Sequence, residues 1–123
     1  MDLDRYKLIR KKWGHHCSWA IWAESSDGLP MTDMDDISFF DDDSIVKELN
    51  PNIILLGLNI SGIIPGTFEN FHSSGGGAYK IRYATKNTPL WGAYMTDTIK
   101  DYPELKARNV RVEANNNPDF VKK

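Results

Sequence analysis

The sequence predicts an α/β fold: a layered α/β/α arrangement around a small, mostly parallel central sheet. Three observations point to it. Asn52 to Leu58 (NIILLGL) is an unbroken apolar run bounded by turn formers, without the apolar/polar alternation of a half-exposed strand. Short helical stretches stand on either side of it, and Ala93 to Thr96 (AYMT) reads as a second core strand after the later one. Finally, 123 residues with 41% hydrophobic and 11% aromatic side chains suit one packed domain and leave no room for two cores.

The elements follow in order. Asp2 can cap a first helix running to about Lys12, because Leu3, Tyr6, Ile9 and Trp13 recur at helical spacing. Ser18 to Ala23 (SWAIWA) reads as a short buried strand or an extended aromatic run. Glu24 to Phe40 is acidic and contains Gly and Pro, so it reads as a long loop. Asp41, Asp42 and Asp43 stand at the head of a short helix through Leu49, where carboxylates meet free backbone N–H groups. Asn50 and Pro51 end it, and the apolar run follows as a strand covered on both faces. Ser73 to Gly77 (SSGGG) is a turning loop, and Ala78 to about Lys86 can form a helix that Thr88 and Pro89 break. The second core strand ends at Asp97. Asn117-Pro118 then gives a helix-start signal barely a turn before Lys123, the pattern either of a domain cut short at its C-terminal end or of a terminal turn that closes the fold.

Charge is unevenly spread. Residues 24–50 hold nine acids against Lys47, a net of −8; the whole chain is −2, so the remainder carries +6. A generally basic nucleic-acid binder is excluded, but a two-sided molecule with one positive face is not. The acidic stretch also reads as a solvated loop. Cys17 alone cannot make an internal disulfide, and Met1 to Lys12 lacks the apolar core of a signal peptide, so a reduced cytoplasmic setting is expected, with no membrane association. His15, His16, Cys17 and His72 lack the paired spacing of a zinc site. No metal or cofactor is implied.

Ligands of parallel sheets collect where strands end at their carboxyl edge. The first core strand ends there in Gly57-Leu58-Asn59-Ile60-Ser61. Gly57 lets the backbone pass close to a ligand, and the Asn59 amide both donates and accepts hydrogen bonds. This GLNIS segment resembles the first motif of the uracil-DNA glycosylase superfamily, nearest the G-x-N-P-[GS] form of its mismatch-specific branch. Phe71, in Glu69-Asn70-Phe71-His72, stands at the separation where such enzymes carry a ring that stacks on the extruded base. Gly92 to Lys100 (GAYMTDTIK) resembles the segment whose asparagine contacts the base edge, with Asp97 in the matching place. The likeness covers roughly residues 18–100.

The resemblance implies an incomplete uracil-DNA glycosylase-like fold that hydrolyses a damaged or mismatched base from DNA, a DNA repair activity. Asn59 would be catalytic, positioning water. Gly57, Leu58, Ile60, Ser61, Phe71, His72 and Asp97 would bind the substrate, while Lys80, Arg82 and Lys86 would meet the DNA backbone. Three departures stand out: Ile60 replaces a proline, Asp97 replaces an asparagine, and no histidine motif follows Lys100. The alternative is a non-catalytic relative that binds nucleic acid or protein. Plainer readings also stand: Asn59 can satisfy backbone groups at a strand end, Phe68 and Phe71 can be core residues, Gly75 to Gly77 can be simple loop, and the Lys80–Lys86 face can be ordinary solvated surface. A sheet lacking its remaining strands would expose an edge prone to self-association.

Overall fold

A computed structural model describes residues 1–59, 64, 66–73 and 77–99, with Leu58, Asn59 and Ile99 described in their backbone alone. Ile60, Ser61, Gly75, Gly76 and the Asn117-Pro118 signal lie outside the described residues.

Helix α1 (Leu3–Trp13) starts where the sequence predicts it. The Asp2 carboxylate accepts from the Asp4 N–H at 3.2 Å, and Arg10, Lys11 and Lys12 crowd the carbonyl end of the helix dipole. Tyr6 is its one fully buried residue, and the Tyr6 hydroxyl donates to the Phe40 carbonyl at 2.7 Å. Burial pushes that phenol up to about 12. Strand β1 (Ser18–Trp19) is only two residues long, although the buried, extended chain continues through Trp22. The acidic loop follows. Asp27, Asp33, Asp36 and Asp42 each accept a backbone N–H from a nearby residue, so the carboxylates shape turns as well as meeting water. Two short 3-10 helices, Ser38–Asp41 and Asp43–Lys47, close it, the second capped by Asp42.

Strand β2 (Asn50–Asn59), helix α2 (Ala78–Thr85) and strand β3 (Ala93–Ile99) form a β–α–β unit whose strands pair in parallel. β1 pairs antiparallel on the far side of β3, giving the order β1-β3-β2. The fold is therefore a small α/β one, and the sheet is mixed rather than mostly parallel. Gly92 turns the chain into β3 with φ 86°, and a side chain there would strike the Glu48 carbonyl. That close approach lets the Asn50 N–H reach the Gly92 carbonyl at 2.8 Å and bring β2 beside β3.

Two clusters make the core. On one face Tyr6, Cys17, Trp19, Ile21, Phe40, Ile45, Leu49 and Phe68 pack together, joined by Tyr94. On the other, Ala20, Trp22, Met34, Ala93 and Met95 meet Ile53, Leu55 and Ile81. β2 corrects the expectation of a covered central strand. Among the described residues it is the edge of the sheet, and Ile54 and Leu56 are 60% and 65% exposed while Ile53 and Leu55 point inward. An uninterrupted apolar run does not distinguish a strand covered twice from one whose outer face awaits a partner. β3 also runs past its expected end, so Asp97 lies within the strand and not at its exit. Among the described residues no helix is long and apolar enough to cross a membrane.

Candidate functional site

The site is built where β2 and β3 approach their carboxyl ends. Gly57 is the register partner of Asp97. Alternation along the strands carries Asp97 to the same face as Met95, and Gly57 to the same face as Leu55. The absence of a side chain on Gly57 leaves the space that the Asp97 carboxylate fills: a Cβ built there would land on Oδ1 and lie 3.5 Å from Cζ of Phe71. Three residues widely separated in sequence therefore converge on one point. Asp97 is 2% exposed.

A carboxylate so deep needs donors. Asn70 supplies one: its Nδ2 donates to Asp97 Oδ2 at 2.9 Å and to the His16 carbonyl at 2.9 Å, using both amide hydrogens. The loop carrying Asn70 is held under tension. Phe68 and Phe71 adopt φ 58° and 67°, left-handed values that side-chain-bearing residues rarely take. Each costs about 1–3 kcal/mol and persists only where surrounding contacts enforce it. Those contacts are present. The Phe68 ring is fully buried, 5.0 Å from Phe40 and 5.8 Å from Tyr6 between centroids. The Phe68 N–H donates to Gly14, the Ser18 hydroxyl donates to the Phe68 carbonyl, and Trp22 Nε1 donates to the Phe71 carbonyl at 3.1 Å. Phe68 is a core anchor; Phe71 stays half-buried.

A hollow of about 480 Å³ lies between β2 and α2. Residues 54–57 of β2 line it together with Phe71 and Met95, and Lys80 and Ile81 line it from α2. Its wall is largely apolar, and it offers an aromatic face beside the glycine of the strand end. Another hollow of about 450 Å³, walled by Trp22, Phe39 and Trp91 with Glu24, Glu48 and Lys86, lies among residues that precede β2 and β3, away from Gly57.

Asn59 is paired with Ile99 through its backbone position in β2; the Asn59 and Leu58 side chains lie outside the described residues, as do Ile60 and Ser61. His72 is an interior residue, 4% exposed. Its Nε2 is 2.8 Å from the Ile21 carbonyl, and its Nδ1 lies 2.9 Å from the Asn70 carbonyl and 3.2 Å from the Ser18 hydroxyl. The ring also stacks on Trp22 at 5.3 Å. Burial holds this imidazole below the usual histidine range, against the pull of the two carbonyls. Its contacts tie the loop to β1 and leave it facing the core, not a substrate.

The expected basic face on α2 is corrected in the same way. Arg82 is 7% exposed, and its guanidinium donates to the carbonyls of Ala23, Pro30 and Thr32 at 2.6, 3.2 and 2.9 Å. It clamps the acidic loop onto α2 and presents no charge to a phosphate. Lys80 and Lys86 are exposed. Helical spacing alone could not distinguish the buried basic residue from the solvated ones. Asn70 is the residue that sequence reading missed. Its partner stands 27 positions away, and nothing local to Glu69-Asn70-Phe71 announces it. Among the described residues, no group of three or more His, Cys, Asp or Glu side chains could hold a metal ion.

In comparisons with protein-family models, with curated proteins and with solved structures, the chain matches none of them.

Proposed function

We propose that the chain is a uracil-DNA glycosylase-like domain that takes an extruded base into the hollow beside Gly57 and Phe71. The observation that carries this reading is the convergence of Gly57, Phe71 and Asp97, the residues on which the motif resemblance rests. Phe71 would offer its ring to the base, a contact worth about 1–3 kcal/mol, against an unstacking cost of a few kcal/mol. Asn59 would hold the water whose oxygen attacks the sugar carbon. The bond from that carbon to the base nitrogen breaks, and the base leaves with its electron pair and is then protonated.

The test is release of free base from uracil-containing or mismatched DNA, single- and double-stranded. Activity lost in Asn59→Ala establishes the enzyme. Absence of both base release and salt-dependent DNA binding ends the reading.

A second reading, a non-catalytic relative that binds nucleic acid or protein, draws on the enclosure of His72 and the commitment of Arg82 to loop carbonyls. Both reduce the polar equipment facing a substrate. Salt-dependent DNA binding without base release would support it. A cytoplasmic location belongs to the same proposal, as does self-association through a sheet edge, for which β2 supplies the strand.

A further inference from the structure

Among the described residues β2 ends the sheet, and the residue types along it are unusual for an edge. Natural edges are blunted by charged side chains, prolines or bulges, because unpaired N–H and C=O groups otherwise recruit another strand. Asn50–Asn59 contains no charged residue. Its Pro51 and its register irregularity, between Asn50 and Ile54, protect only the first half. From Ile54 onward the strand pairs regularly with β3, and among the described residues no strand neighbours it on its far side. Ile54 and Leu56, two apart and so on one face, are both more than half exposed.

From this we infer that the outer edge of β2 docks a second copy of this chain, the two β2 strands pairing antiparallel across a twofold axis. The inference takes up the self-association named in the proposed function, and its two residues, Ile54 and Leu56, also border the hollow beside Gly57. What selects a second copy is self-complementarity. With the axis at Leu55, Ile54 of each copy lies opposite Leu56 of the other, so the four exposed aliphatic side chains form one patch. Ile53 falls opposite Gly57, and Pro51 opposite Asn59, outside the central ladder. No like charges meet, and a chain charge of −2 repels its copy weakly.

The area sets the strength. A ten-residue strand is about 33 Å long and a sheet about 10 Å thick. Edge pairing over that strip, with the aliphatic patch added, falls short of the roughly 1,200 Å² at which stable interfaces begin. The dimer therefore forms in the micromolar range, not the nanomolar.

Sedimentation equilibrium of the full chain from about 1 to 200 μM tests this range. The expected result is a monomer at the low end passing to a dimer at the high end. Ile54→Lys and Leu56→Lys should each raise the dissociation constant at least about tenfold by placing like charges in the patch. Tyr83→Lys, at an exposed position on α2, should leave it unchanged. Circular dichroism checks that each variant is folded. A monomer at every concentration, the result if residues 100–123 cover this face instead, overturns the inference. So does association that both lysine variants leave intact. Base release measured on the unsubstituted chain over the same concentrations keeps failure of the dimer distinct from failure of the glycosylase reading.

Discussion

Gly57→Ala is the smallest change that tests the site's construction. Alanine in place of glycine in a strand ordinarily gains about 0.5–1 kcal/mol by restricting the unfolded chain. Here the new methyl would land on the Asp97 carboxylate and touch Phe71. Either the strands separate, at an overpacking cost of about 1–3 kcal/mol, or Asp97 rotates and loses the Asn70 bond, leaving buried polar groups unpaired at about 1–3 kcal/mol. After the entropic gain, the net loss is about 0.5–2.5 kcal/mol. Urea unfolding followed by tryptophan fluorescence measures it, since Trp19 and Trp22 are both buried. Gly77→Ala is the steric control: nothing lies within 4 Å of the Cβ that would be added there, so only the N-cap preference for glycine at the head of α2 is lost, about 0.5–1 kcal/mol. In Gly57→Ala/Asp97→Ala the obstructing carboxylate is gone, and the double variant should lose at least about 1 kcal/mol less than the two single losses summed. A neutral or stabilising Gly57→Ala, or strict additivity in the double variant, would refute the account of the glycine as room for the carboxylate.

Three further outcomes follow from the geometry. Asn70→Ala should cost about 2–3 kcal/mol in the same unfolding assay, since it withdraws donors from a buried carboxylate and from the His16 carbonyl; a loss under 0.5 kcal/mol would show that the Asp97 site does not need it. Arg82→Ala should destabilise by about 2–4 kcal/mol and speed hydrogen exchange across residues 24–33, with Arg82→Lys recovering only part because it lacks the planar fork. His72 gives a pH dependence: its folded-state pKa lies below its unfolded value, so below about pH 6.5 the unfolded chain takes up the proton first and stability falls as the pH drops. The slope contributed by one proton approaches about 1.4 kcal/mol per pH unit, and His72→Gln should remove that contribution below about pH 6.5; identical slopes in the two proteins would exclude His72 as its source.

Local chemistry was legible wherever one segment decides its own conformation. Asp2 caps α1, Asp42 caps a 3-10 turn, and Ala78 to Thr85 forms a helix, because capping and periodicity act over a few residues. The two main strands were legible for the same reason. What the sequence could not determine is which face of each element meets another. NIILLGL reads as doubly covered, yet Ile54 and Leu56 face outward, since hydrophobicity records the capacity for burial and not its fulfilment. Lys80, Arg82 and Lys86 look alike along α2 until the loop carbonyls of Ala23, Pro30 and Thr32 arrive around Arg82. Gly57, Phe71 and Asp97 could each be singled out by residue type, but their meeting depends on the β2–β3 register and on the strained turn at Phe68 and Phe71. These are long-range arrangements. They are set by packing over tens of residues, for which no local pattern in the chain can stand in.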